Sequence, residues 1–260
     1  MRKLLFILFF PLALTGAEKV VSLAPAVTDM VIYLGGEKQL VGISSACAQA
    51  AVKGLPAAGD LGKPFVETVL KLRATVIISD TKHPQANWEL LEKCGVKVVI
   101  LPAKKVGDLP ENLRKLGKIL RLPGAEEKAQ KLQTRIGQLR ALPKTSRRGV
   151  ILFSVNPLIT CGRESFISEM LALTGVENTA APHGRGYFII SPEFLYRSQA
   201  EEIFLIGVNK ISGQEFLSRP LFQGVPAVKS GKITFLPENK WSRLTPALID
   251  GAEELLLQRH

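Results

Sequence analysis

Cysteine is scarce in this chain: 260 residues hold three, Cys47, Cys94 and Cys161, with no C-x-x-C spacing. An odd count leaves at least one thiol unpaired, which removes a fully stapled fold, a dithiol redox motif and a zinc knuckle from consideration. The three read as small, part-buried hydrophobes. Histidine is equally rare, at His83, His183 and His260. Transition-metal sites draw on several converging His or Cys, and only a meeting of His83 and His183 across a cleft would begin one. No metal site or cofactor is expected. Catalytic signatures are missing as well. No G-x-G-x-x-G or Walker loop supplies a phosphate cradle, and neither a G-x-S-x-G elbow nor an H-E-x-x-H pair occurs. Aromatics are only 7% of the chain, and no basic stripe interleaved with them argues for nucleic acid. Beyond residue 17, no apolar run approaches the ~20 residues of a spanning helix.

What is present is globular in character. Hydrophobic residues make up 46% and charged residues 22%, outside the range of disordered polyelectrolytes. The length suits one large or two modest domains. The net charge of +11 is unevenly spread, at +2 in residues 1–17, +5 in 18–124, +5 in 125–148 and −1 in 149–260. The first segment, MRKLLFILFFPLALTGA, has Arg2 and Lys3 ahead of an apolar stretch and small residues at Thr15, Gly16 and Ala17. That is the pattern of a secretory signal peptide with cleavage after about Ala17. No Cys stands near the cleavage site, so no lipid anchor is expected, and the mature protein is expected to be exported and monomeric.

From residue 19 onward, apolar runs alternate with helical patterns. Strands are expected at 20–24 (VVSLA), 40–43, 75–79 (TVIIS) and 96–101 (VKVVIL), with helices at 28–34, 66–72, 87–94 and 109–120. After residue 146 the alternation restarts, with strands at 149–155, 203–208 and 233–236 and helices at 164–173, 193–197 and 246–257. Strand and helix in alternation predict an α/β fold with mainly parallel sheets. Between the two halves, Ala125, Ala129, Leu132, Ile136 and Leu139 form one apolar stripe on a helix of about eighteen residues, about 27 Å long. Its basic face, with Lys128, Lys131, Arg135 and Arg140, reads as solvated. The expected organisation is a signal peptide at 1–17, an N-terminal α/β lobe at 18–124, a long rigid connecting helix at 125–145 and a C-terminal α/β lobe at 146–260.

Three stretches carry a resemblance. The first is VVSLAPAVTDMVIYLG at 20–35 with LVGISS at 40–45, and the second runs from Gly59 to Asp80. The third is Asn156-Pro157-x-x-Thr160-x-Gly162-x-Glu164-Ser165, continuing through Leu171 to Gly175-x-Glu177-Asn178. Together they resemble the helical-backbone class of ABC-importer substrate-binding proteins, the group that includes cobalamin, siderophore and haem carriers. The similarities span essentially all of 19–257. The resemblance implies two lobes bridged by one helix, and a function in capturing a ligand between the lobes for an ABC permease of the inner membrane, in the periplasm and without enzymatic activity.

The resemblance also places the pocket. Ser45, Ala46, Leu61, Ile159, Tyr187, Asn239, Trp241 and Arg243 are the implied ligand-binding positions. Tyr187 falls where corrinoid binders carry a stacking Trp, and Arg243 is placed to hold an anionic or amide-bearing edge of the ligand. Ala46, Leu61 and Ile159 replace a Tyr, a Trp and a Phe, so aromatic area has been lost. Thr174 stands where the family has one Cys of an inter-helix disulfide. Glu67 and Glu193 match the glutamates, one per lobe, with which the family docks onto permease arginines. The implied ligand is a corrinoid, with an iron–siderophore or haem as the alternative. A reading from another class is an exported metal-dependent hydrolase or chelatase using His83 and His183.

Overall fold

The computed structural model describes residues 17–143 and 147–258, so the expected leader lies almost wholly outside the described residues. Its first sheet has six strands, Val20–Ser22 (β1), Leu40–Ser44 (β2), Ala57–Asp60 (β3), Lys63–Pro64 (β4), Val76–Ser79 (β5) and Lys97–Ile100 (β6), in the order β4-β3-β2-β1-β5-β6. All neighbours are parallel except β3 and β4. The central strands β1 and β5 are buried throughout, as a parallel sheet covered on both faces requires. Their side chains alternate between two cores. Val20, Val76 and Ile78 face Pro25–Leu34 (α1) and Asp108–Leu120. Val21 and Ile77 face Val66–Lys71 (α2) and Trp88–Lys93 (α3). The helix at Asp108–Leu120 is α4.

Helix α1 begins at Pro25, earlier than the expected residue 28, because proline suits the first helical turn. It ends at Gly35, whose φ of 85° is the left-handed conformation of a helix stop. The connecting helix, Ala125–Ala141 (α5), is 17 residues long. Its stripe of Ala125, Ala129, Leu132, Ile136 and Leu139 is buried as the periodicity predicts. It packs closely on α4, where a Cβ at Gly117 would run into Ala125. The helix stops at Ala141 rather than continuing to 145, since Pro143 biases Leu142 to the extended conformation seen there.

The second half contains two sheets. Its strands are Arg147–Leu152 (β7), Ser154–Val155 (β8), Leu158–Cys161 (β9), Val176–Asn178 (β10), Tyr187–Ile189 (β11), Glu202–Ile206 (β12) and Ile233–Leu236 (β13). A four-stranded parallel sheet has the order β10-β7-β12-β13, and a three-stranded antiparallel sheet the order β11-β9-β8. The helices are Phe166–Leu173 (α6), Pro192–Arg197 (α7), Lys210–Leu217 (α8), Pro226–Lys229 (α9), Glu238–Trp241 (α10) and Pro246–Leu257 (α11). Three expected boundaries shift. The run at 149–155 splits at Phe153, and the strand expected to reach 208 ends before Gly207, with φ of 68°. The helix expected from 164 starts after Ser165, whose hydroxyl accepts from Ile167 N at 3.2 Å.

The fold is therefore α/β, with two lobes and mainly parallel sheets, and the lobes share one apolar core. Met30 of α1, Leu113 of α4, Leu132 and Ile136 of α5, Met170 of α6 and Leu248 of α11 belong to a single buried cluster. Polar ties reinforce it. Arg135 on α5 bonds Asp250 and Glu253 of α11, each at 2.6 Å, and Glu169 of α6 accepts from Val106 N at 2.8 Å.

Candidate ligand-binding cleft

In open α/β sheets, ligands bind beyond the carboxyl ends of the strands. Ser45 and Ala46 follow β2, and Leu61 follows β3. All three are exposed, Leu61 at 54%. Ser45 has a structural duty as well. Its hydroxyl donates to Asp60 Oδ1 at 3.0 Å while Leu61 N donates to the same oxygen at 2.9 Å. These two donors hold the Asp60 carboxyl below its usual range and fix the turn that presents Leu61.

Two further expected residues lie on the antiparallel sheet. Tyr187 pairs with Cys161 and Ile189 with Ile159 across β11 and β9. The turn after β9 is fastened to the segment leading into β11 by Gly162 N donating to Gly186 O at 2.8 Å and Glu164 N to Arg185 O at 2.8 Å. Gly162 is required by close approach, because a Cβ there would strike the backbone of Gly184. Tyr187 is 56% exposed and meets Phe153 edge-on at 5.0 Å. Its phenol pKa is raised, chiefly by desolvation and further by the Cys161 thiol, with Ser165 opposing. More than half of the residue is thus open beside Phe153.

Two cavities have one wall from each lobe. One, of about 720 Å³, runs from Ala103, Lys104 and Lys105 to Arg163, Phe166 and Tyr187. The other, of about 550 Å³, includes Asp29, Tyr33 and Gln49 on one side and Asn239, Arg243 and Thr245 on the other. Of the expected pocket residues, Tyr187 lines the first and Asn239 and Arg243 the second. Ser45, Ala46, Leu61 and Ile159 line neither.

One expectation is corrected. Trp241 is not a cleft residue: it is 1% exposed and belongs to the shared core. It lies against Gly251 of α11, where a Cβ would come within 2.7 Å of the indole nitrogen. Arg243 does line a cavity, but its charge is already matched by Asp29 of the other lobe at 3.1 Å. Gln49 braces that carboxylate, donating to Asp29 Oδ1 at 2.9 Å and to Pro25 O at 3.0 Å. The contact uses Nη1 alone of the guanidinium's donors.

The histidines have separate surroundings. Gln85 N donates to His83 Nδ1 at 3.3 Å, and His183 stacks edge-on with Phe194 at 5.0 Å. Among the described residues, no group of three or more His, Cys, Asp or Glu is arranged to hold a metal ion. All three cysteines are free. Glu67 and Glu193 are exposed in the first turns of α2 and α7. The Glu193 carboxyl is held below its usual range by its own backbone N–H first and by Ser191 second. Sequence reasoning did not place Lys104, Lys105 or Arg163 in the cleft, since the basic residues it weighed were those of the connecting helix.

Comparison with known proteins fits this geometry. The vitamin B12-binding protein of Pectobacterium carotovorum subsp. carotovorum is 28% identical over 249 residues, covering 93% of this chain and 88% of that one. The periplasmic vitamin B12 binding protein BtuF of Vibrio cholerae superposes with a TM-score of 0.75 at 23% identity, over 93% of this chain and 96% of that one. A periplasmic heme binding protein from Pseudomonas aeruginosa gives 0.76 at 25% identity, over 94% and 92%. The sequence profile of periplasmic binding proteins matches residues 20–240. That match enters at β1, passes through both lobes and the helix between them, and ends in α10: the chain belongs to the periplasmic binding protein family.

Proposed function

We propose that this protein is the extracytoplasmic substrate-binding protein of an ABC importer, and that it carries a corrinoid from solution to a permease. The observation that carries the reading is the inter-lobe cavity lined by the exposed Tyr187, in a chain whose curated relatives include vitamin B12-binding proteins. A flat macrocycle is held by aromatic faces and a few polar groups, and Phe166 adds a second aromatic ring to the same lining. The named relatives are binding proteins, and carriage requires no bond to be made or broken.

A haem or other iron chelate is the second reading. It is favoured by the haem-binding neighbour at 25% identity and by the small or aliphatic residues at Ala46, Leu61 and Ile159. Calorimetry on the mature protein with cobalamin, cobinamide, haem and ferric siderophores tests both. One class is expected to bind at micromolar or tighter, about −8 kcal/mol. Failure of all four would overturn the carrier reading of this cleft.

A further inference from the structure

The cavity of about 720 Å³ is lined by three cations, Lys104, Lys105 and Arg163. Lys104 and Lys105 enter from the loop after β6, and Arg163 from the turn after β9. Among the described residues, no carboxylate forms an ion pair with any of them. The two acids on the same lining are occupied elsewhere. Glu164 faces Arg185 at 3.7 Å, while Glu169 faces Arg140 at 3.3 Å and accepts from Val106 N at 2.8 Å.

The loop bearing the lysines is also held in place. Asp108 Oδ2 accepts from Lys104 N and from Lys105 N, both at 2.9 Å, and the Val106–Glu169 bond anchors the next residue to the opposite lobe. Cations from two lobes are therefore collected around one space by contacts that do not use their charges. Like charges gathered in this way repel unless an anion lies between them. Beside them, Tyr187 and Phe166 supply apolar surface on the same lining. The second cavity differs, because Arg243 is paired with Asp29 and Asp250 with Arg135.

We infer that the ligand is an anionic amphiphile whose carboxylate or phosphate groups seat among Lys104, Lys105 and Arg163 while its apolar ring lies on Tyr187. The inference rests on the carrier reading above and gives that ligand a charge and an orientation. The anion has two possible sources, carboxylate side chains on a macrocycle or a phosphodiester in a nucleotide tail.

Two probe pairs separate the sources: hemin against its dimethyl ester, and cobalamin against cobinamide, which lacks the nucleotide phosphate. Affinities are measured for the wild-type protein, for Lys104→Gln/Lys105→Gln/Arg163→Gln and for Arg163→Gln alone, with a thermal melt on each to verify folding. In at least one pair, the wild type is expected to prefer the member that carries the carboxylates or phosphodiester by about tenfold or more. The triple variant should lose that preference, and the single variant part of it. The preference should also shrink as salt is raised. Equal binding within each pair, or a preference that survives the triple substitution, overturns the inference alone. If neither pair binds the wild type but a ferric siderophore does, the inference falls alone; if none of these ligands binds, the carrier reading falls and the inference with it.

Discussion

Glu67 and Glu193 each stand exposed in the first turn of a short helix, with exposed apolar residues close by in the chain. Phe65 and Leu70 flank the first, and Ile189 and Tyr196 lie on either side of the second. Exposed single charges contribute within about ±0.5 kcal/mol to stability, whereas charges at an interface set orientation and encounter rate. Glu67→Ala and Glu193→Ala should therefore leave the melting temperature and ligand affinity unchanged and lower uptake in vesicles carrying the permease. The double change to Arg should abolish uptake, and wild-type uptake by that variant would sink the docking role. The thiols make a second test. Cys161 is buried and its pKa is raised, mainly by desolvation, while Cys94 is exposed. An alkylating reagent at neutral pH should label Cys94 in the native protein and Cys161 only after unfolding, as mass spectrometry of the peptides would read. Trp241 and Arg243 show where residue-level reasoning ran out. An aromatic and a cation at family positions looked available, but their fates depend on Gly251 in a later helix and Asp29 in the other lobe, contacts that local sequence does not encode.

At the scale of elements, the antiparallel pair of β9 and β11 positions Tyr187, one of the aromatics on the cleft lining. Gly162 lies flush against Gly184 at its base. Gly162→Val should force the two turns apart, cost about 1–3 kcal/mol as overpacking does, and weaken ligand binding several-fold by displacing Tyr187. Denaturant titration and calorimetry on the same variant would measure the two effects, and unchanged affinity would mean that this strand pair does not set the cleft. Four strands of the first sheet, β1, β2, β5 and β6, were legible as short runs of Val, Ile and Leu, whereas β3 (AAGD) and β4 (KP) were not, having no such run. Strand β11 was not legible either, because Tyr187–Ile189 is three residues long with Gly184 and Gly186 just before it, too short for an alternation to register. Helix α8 escaped for a related reason: its polar and apolar residues are mixed without a clear stripe. Lys104 and Lys105 meet Arg163 only through the packing of loops from different lobes.

For the molecule as a whole, the shared core and the Arg135, Glu169 and Arg243 ties resist opening about α5. Ligand should change the radius of gyration little, unlike the wide hinge closure of other two-lobed binders. Small-angle scattering with and without ligand tests this, and a large compaction would contradict it. The two-lobe plan itself was legible from the restart of strand–helix alternation after the stripe of α5. The antiparallel second sheet was not. The topology has one further consequence, for the order in which the protein is made. Every strand of the first sheet comes from residues 20–100, and every strand of the other two from residues 147–236. No strand must wait for a partner from the far end of the chain, so a chain emerging N-terminus first from an export channel can complete the first sheet before the rest arrives. What waits is α11, the last helix, whose Leu248, Ile249 and Ala252 complete the common core. Premature termination before residue 246 would thus leave all three sheets formed and the apolar seam between the lobes open to chaperones and proteases.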